Sequence, residues 1–394
     1  LIGLLFVGRV TEIFIFSKRA MKLIPAITEE EVARAEAPLE QAYTLPKSAY
    51  TSSEVYETEL NQVLRKSWIS VAHVSQLPES GSYVTFDLLG QPAMVVRGQD
   101  EEIRVMSSVC LHRGASVAEA CGRKNLFTCP YHAWSYDTTG QLVRAPLMEG
   151  AVDFSEAGWR LPIIRSEIWN GFILANLDEH AEPLAGQIED FTGYFANFGL
   201  TDMKIVKTVE YDSGWNWKVL VENFMEAYHH IAIHSKTFEP RNHARDSTVP
   251  ENSGPWSILH MPLADSAIDP NEHLIEGRED WQSRDLFANV IFPYFIFAVQ
   301  GEHAFWYQIS PQSVDRFLLK IHVLLPKHYR GIDGYDDIVK AMAVGVKVVH
   351  EEDIRANDLV WTGLTAPMTE QGRLSPLEKS IWQMNQWWLQ QMRK

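Results

Sequence analysis

Cysteine is scarce in this sequence: three residues in 394, Cys110, Cys121 and Cys129, all within one short stretch. A set so small and so clustered cannot staple a disulfide scaffold. It points instead to metal-site thiolates in a reducing compartment, by default the cytoplasm. Positive charge is also short, with 35 Lys and Arg against 51 Asp and Glu and a formal net charge of -16. Such a field repels phosphate backbones and anionic lipid surfaces, which argues against nucleic-acid and membrane partners. Long apolar runs are missing too. The nearest candidate, "LIGLLFVGRVTEIFIFSKRA" at residues 1–20, is interrupted by Arg9 and Glu12. It falls short of the roughly 18 apolar residues a spanning helix needs, and it has neither the basic flank nor the cleavage site of a signal peptide. Met21 opens a conventional start, so residues 1–20 read as an upstream or added segment, with an interfacial helix as the alternative. Repeats and low-complexity tracts are absent.

What is present suffices for two domains of ordinary size, since 46% of the residues are hydrophobic. Thr28 and Glu31 form a capping-box pattern that opens a helix interrupted by Pro38, and "SEVYETELNQVLRKSW" carries Val55, Leu60, Val63, Leu64 and Trp68 at near-helical spacing. From Ile69 to about Ile164 the pattern changes to short strands broken at glycines, which predicts a small all-β domain. Beyond Arg165, "WNGFILANL" and "MKIVKTVEYD" read as strands and "WKVLVENFMEAYHH" as a helix. A loop-rich stretch spans 235–285, apolar strands run to Pro326, and helices are expected from about Ile338 to Met392. The fold class is therefore α+β. Its expected parts are an N-terminal helical segment (21–65) packing on the second domain, an all-β domain (66–164) and a larger antiparallel-sheet and helix domain (165–394).

The cysteines lie in "CLHRGASVAEACGRKNLFTCPYHAWSY", residues 110–136. Here C-x-H (Cys110, His112) is followed after sixteen residues by C-x-x-H (Cys129, His132). Two Cys and two His also make a structural zinc set, but zinc motifs usually pair like with like in each loop. One thiolate and one imidazole per loop suits a cluster of two irons, one held by sulfur and one by nitrogen, the Rieske form of the [2Fe–2S] centre. Cys121 has no such partner and reads as a packed thiol. A second constellation, "NWKVLVENFMEAYHHIAIH" (216–234), sets three histidines behind acidic residues. Two His and one carboxylate on one face of a metal are the ligands of non-haem Fe(II) oxygenases. Helical spacing by itself proposes His230 and His234, which share a face at i, i+4.

The signature of Cys110, His112, Arg113, Gly114, Cys129, Pro130, Tyr131, His132 and Trp134 resembles that of the Rieske non-haem iron oxygenases, the terminal α subunits of aromatic ring-hydroxylating dioxygenases. The resemblance extends over nearly all of residues 45–390. It implies a helix-grip-like catalytic domain and selects His229 and His234 as iron ligands, with His230 beside them. Five residues turn a helix by about 140°, so that pair requires the helix to end or distort at the site. The resemblance also implies Asp353, in "VHEEDIRANDLVWTGL", as the third ligand, leaving Glu351 and Glu352 as a solvated charge run. Glu226 stands where the family carries an electron bridge to the neighbouring subunit, usually Asp, and Glu there is similar to the branch acting on quaternary amines.

The implied activity is that of an O₂-dependent mono- or dioxygenase hydroxylating an aromatic or related ring compound. Electrons would come from NAD(P)H through a ferredoxin or flavin reductase to the Rieske cluster and then to mononuclear Fe(II). Quaternary-amine oxidation is the alternative reading, and a Rieske electron carrier without oxygenase activity is a third. A homotrimer is implied, with or without a small β subunit. Arg113, Arg123 and Lys124 are expected to form a local basic patch for an acidic electron donor. Among the aromatic residues, Trp256, Phe292, Tyr294, Phe295, Phe297, Phe305, Trp306 and Tyr307 are candidates to line a substrate cavity, with Trp256, Phe292, Tyr294 and Trp306 expected to contact the substrate; core packing is the competing reading.

Overall fold

The computed structural model describes residues 22–269 and 275–394, so the expectation for residues 1–20 lies outside the described residues. The chain opens with helix α1 (Glu29–Glu36), whose Thr28 cap and Glu31 form the reciprocal capping box read from the sequence. Helix α2 (Ser53–Gln62) follows, capped by Ser52. Next come β1 (Ile69–His73), β2 (Ser82–Leu88), β3 (Gln91–Arg97), β4 (Ile103–Ser107), β5 (Cys121–Arg123), β6 (Leu126–Thr128), β7 (Ser135–Asp137) and β8 (Leu142–Arg144). Strands β9 (Ile163–Trp169) and β10 (Phe172–Asn176) complete an antiparallel sheet of order β1-β10-β9-β4-β3-β2-β5, while β6, β7 and β8 form a small sheet of their own. The larger sheet thus runs past residue 164, because β9 and β10 pair with each other and with strands on both sides.

The second half is built on a six-stranded antiparallel sheet. Its strands are β11 (Met203–Ser213), β12 (Trp256–Met261), β13 (Leu286–Ile291), β14 (Phe295–Gln300), β15 (His303–Ser313) and β16 (Arg316–Pro326), in the order β11-β16-β15-β14-β13-β12. Strand β12 sits inside the stretch read as loop-rich. Its residues are buried along nearly the whole strand, so the alternation that marks a half-exposed strand is missing, and Pro255 and Pro262 flank it. Helix α3 (Trp217–Phe224) leads into the turns that bear the histidines of the second candidate centre, the 30-residue α4 (Tyr335–Leu364) carries its aspartate, and α5 (Lys379–Met392) closes the chain.

An aromatic core joins the two halves. Trp169 and Phe172 of the first sheet's end pack with Phe191, Phe195, Phe295, Phe297 and Trp306. Each such ring contributes on the order of 1.5–3 kcal/mol through burial. The N-terminal segment is tied to the C-terminal helix: the Trp382 indole donates to Ala37 C=O at 2.9 Å, and Arg393 pairs with Glu29 and Glu36. A buried ion pair fixes α3. Lys218 donates to both Glu59 oxygens at 2.7 and 2.9 Å, and the Trp388 indole of α5 donates to the same carboxylate at 2.6 Å. Among the described residues no helix is long and apolar enough to cross a membrane.

Two candidate metal centres

The first centre stands on two loops closed by the same pair of backbone bonds. Gly114 N–H donates to Cys110 C=O at 3.0 Å and Cys110 N–H to Ala115 C=O at 2.9 Å; Ala133 N–H donates to Cys129 C=O at 3.1 Å and Cys129 N–H to Trp134 C=O at 2.8 Å. The turn residue is left-handed in both, at φ 79° for Gly114 and 58° for Ala133, a conformation glycine adopts without a Cβ penalty. This repeated geometry buries both thiols and leaves both imidazoles exposed. The His112 and His132 rings lie 4.7 Å apart, and His112 stacks on Trp134 at 5.0 Å. Loss of hydration, with His112 and Arg113 nearby, lowers the pKa of His132 and favours the neutral imidazole that binds metal. The Tyr136 hydroxyl accepts from Leu111 N–H at 3.0 Å and lies 3.4 Å from Cys110 Sγ, where hydrogen bonding to sulfur tunes a cluster's potential. Two unpaired buried thiols beneath two adjacent imidazoles fit a two-iron centre.

Cys121 is not packed. It is exposed on the edge strand β5, because that strand pairs with β2 alone. The expected basic patch is also smaller than its sequence suggests: Arg123 is paired with Glu79, and Lys124 lies over the Tyr83 ring, leaving Arg113, over Tyr131, beside the imidazoles.

The second centre begins where α3 stops. Met225 N–H already turns back to Val221 and Glu222, and the chain tightens into a 3₁₀ turn over Tyr228–Ile231. Glu226 organises the break, accepting from His229 N–H at 3.0 Å and from His229 Nδ1 at 2.6 Å. With the helix ended, His229 and His234 turn toward Asp353 of α4. Asp353 Oδ1 is 2.9 Å from His234 Nε2 and 3.6 Å from His229 Nε2, and one ligand atom from each of the three residues lies within 4.8 Å of the others. His230 is not in that group; its Nδ1 is buried without a partner, and burial, with His229 and His234 beside it, pushes its pKa down to about 3.

Glu352 is not part of a solvated face. It accepts from His234 Nδ1 at 2.7 Å and from Thr237 Oγ at 2.9 Å, so each histidine has a carboxylate behind it that directs Nε2 to the common point. Burial opposes the charged form of His234, but the hydrogen bonds it donates to Asp353 and Glu352, with the charges of both carboxylates, outweigh it and raise the pKa. The donor set of two imidazole nitrogens and one carboxylate oxygen, each oriented, fits Fe(II) with open positions.

A cavity of about 270 Å³ opens on these three residues. Its floor is the six-stranded sheet, where the registered row Leu259, Ala288, Ala298, Phe305 provides depth through two adjacent alanines. Of the eight aromatic candidates only Phe305 and Tyr307 line it, and the four expected to contact the substrate do not. Trp256 and Trp306 belong to the aromatic core, with the Trp306 indole donating to Ser70; Tyr294 packs on Trp217, and Phe292 on Trp387. The cause is strand parity. On β15, Phe305 and Tyr307 face the cavity and Trp306 the opposite side. Phe224, Phe238 and Val346 of the lining were not among the sequence candidates, being indistinguishable there from core residues.

Comparison with known families agrees with this geometry. Residues 67–157 match the model of the Rieske [2Fe-2S] domain, and residues 200–394 that of the ring hydroxylating alpha subunit (catalytic domain). The chain belongs to the Rieske oxygenase α subunits. It is 35% identical over 191 residues to the carnitine monooxygenase oxygenase subunit of Acinetobacter pittii, covering 48% of this chain and 52% of that protein. It is 31% identical to the anthranilate 1,2-dioxygenase large subunit of Acinetobacter baylyi over 50% of this chain and 44% of that one. The matched region thus spans about half the length of these relatives. The structure of a quaternary ammonium Rieske monooxygenase in complex with an inhibitor superimposes with a TM-score of 0.81 at 24% identity, covering 94% of this chain and 100% of that one, a likeness of fold.

Proposed function

We propose that the protein is the terminal oxygenase component of an O₂-dependent system. In this reading Cys110, Cys129, His112 and His132 hold the [2Fe–2S] cluster, and His229, His234 and Asp353 hold mononuclear Fe(II). The observation that carries it is the convergence of two oriented Nε2 atoms and one carboxylate oxygen on the wall of an apolar cavity, in a chain that also has the Rieske loops. When bound, the cluster would supply single electrons and the mononuclear iron the activation of O₂.

The chain's own contribution is orientation and exclusion. Glu226 and Glu352 hold the two imidazoles, which costs no reorganisation when a ligand arrives. Phe224, Phe238, Phe305 and Tyr307 exclude water and hold the substrate body. By the resemblance, Glu226 would also pass charge toward a neighbouring subunit, in a homotrimer with or without a β subunit. Reducing equivalents would come from NAD(P)H through a ferredoxin or flavin reductase docking near Arg113.

For the substrate, the quaternary-amine class leads, supported by Glu226 and by the likeness to the carnitine monooxygenase subunit; the four rings would attract such a cation through their faces. Ring hydroxylation is the second reading, supported by the anthranilate dioxygenase relative. A pure electron carrier has no use for the His229, His234, Asp353 set. The test is a single turnover of iron-loaded, chemically reduced protein with O₂ against pools of quaternary amines and aromatic acids. Formaldehyde or amine release is expected; ring oxygenation would select the second reading. Absence of mononuclear iron after loading would refute the oxygenase.

A further inference from the structure

The cavity floor is polar at one corner. Its rows follow the sheet register: the outer row is Met261, Leu286, Gln300 and His303, and the middle row is Leu259, Ala288, Ala298 and Phe305. Gln300 and His303 are paired across the two-residue turn at Gly301, so their side chains stand together on the cavity face. Four residues along β15 separate His303 from Tyr307, about 13 Å of strand. Tyr307 marks the ligand end: it packs on Phe224, and burial, with the Asp353 charge adding to it, raises its pKa.

We infer that Gln300 and His303 form a specificity subsite that receives an uncharged hydrogen-bonding group at the far end of an elongated substrate and disfavours a carboxylate there. The inference rests on the oxygenase reading and deepens it. Gln300 donates one long bond, 3.3 Å to Arg284 C=O, and among the described residues its oxygen and second N–H have no further partner, which leaves them for a ligand. Among the described residues no hydrogen bond is made by the His303 ring, which lies edge-on to the Phe305 ring at 5.3 Å. Burial holds His303 down to about 4, so it meets a ligand as a neutral donor and acceptor. Among the described residues no Lys or Arg lines the cavity, while its carboxylates, Glu226 and Asp353, stand at the opposite end bonded to His229 and His234. Arg278, near the turn, is spent on the carbonyls of Asn197, Phe198 and Gly301. A substrate carboxylate at this corner would lose its hydration without gaining a cation, whereas a hydroxyl, carbonyl or amide would be matched.

The test is calorimetric titration of the iron-loaded protein with four probes: a trimethylammonium group and a phenyl group, each on the same four-carbon chain ending in a carboxylate or in its primary amide. On the scaffold that binds, the amide is expected to bind at least tenfold tighter than the carboxylate. Gln300→Leu and His303→Phe should each reduce that preference to under threefold, and Gln300→Lys should reverse it. Equal or tighter carboxylate binding in the parent protein, an unchanged preference in the variants, or no binding on either scaffold would overturn the subsite. Iron content measured on the same samples separates the two readings: lack of mononuclear iron refutes the oxygenase, and full iron without an amide preference refutes only the subsite.

Discussion

The two candidate centres are built in opposite ways. The first takes its four residues from 23 consecutive positions and holds them on two loops of matching hydrogen bonds at an exposed edge. The second joins His234 to Asp353 across 119 positions, from the turns that follow one helix to the middle of another, on the wall of a cavity. A local site depends on the geometry of its loops, whereas a distributed site depends on everything that keeps its elements docked. The two should therefore fail separately.

The largest expected effects are complete losses of one iron pool. Cys129→Ser should abolish the visible absorbance and the paramagnetic signal of the reduced cluster while leaving the mononuclear iron. Asp353→Ala should do the reverse, and His230→Ala should lose neither. Joint loss in either of the first two would show that the centres are coupled. Next in size is Lys218→Met, which strands the Glu59 carboxylate in the buried network behind α3. Breaking one partner of a buried pair costs about 3–5 kcal/mol, and adding Glu59→Leu should recover much of it, because the stranded charge is then gone. Urea denaturation would measure both, and the iron lost first on partial unfolding should be the mononuclear one.

The same contrast explains what could be read before the fold. The cluster loops are short, so ligand type and spacing survive as a pattern in the sequence. The α+β class, strands β2 to β4 and the terminal helices follow from periodicity and glycine placement. The histidine pair was ambiguous, since choosing His229 over His230 requires the helix to end at Phe224, and no glycine or proline marks that end; Glu226 does it through a side-chain bond. Asp353 is one acid among three in a row, and only the docking of α4 distinguishes Glu352, held by His234, from a surface charge. The cavity was the least legible. Strands apolar on both faces give no parity, so Trp306 and Phe305 look alike until the sheet has a second layer on each side. Gln300 and His303 flank a hairpin turn, where polar residues ordinarily indicate solvent.

Removing orientation without removing a ligand should have a smaller effect. Glu226→Gln and Glu352→Gln keep shape but weaken the acceptor behind each imidazole, and changes of this kind typically reduce metal affinity by about 10–100-fold. Chelator competition on the mononuclear iron would measure it, with the cluster signal as an internal control that should stay constant. If the cluster signal fell in parallel, the loss would reflect unfolding rather than orientation.

A last effect separates the sheet of the second half from the cluster loops by acid. His322, in the sheet of the second half, is pushed down to about 3, chiefly by burial, with Lys320 and His73 adding to it; its ring bonds to Thr208 at 2.8 Å and Gln308 at 3.0 Å. Its folded pKa lies below the unfolded one, so the unfolded chain binds the extra proton in between. The stabilising contribution is present above about pH 6.5 and is lost as pH falls from there toward 3, by about 1.4 kcal/mol per pH unit. His322→Gln keeps a polar partner for Thr208 and removes the proton site, so the urea midpoint of the variant should decline less steeply over that window. His112 and His132 stand exposed on the cluster loops; the pKa of His132 is lowered as well, but it lacks the burial that holds His322 down, so changing His132 should flatten the slope of the metal-free protein less than changing His322 does. An equal flattening from His132→Gln would mean that the cluster loops carry acid sensitivity that the burial of the second half was thought to own.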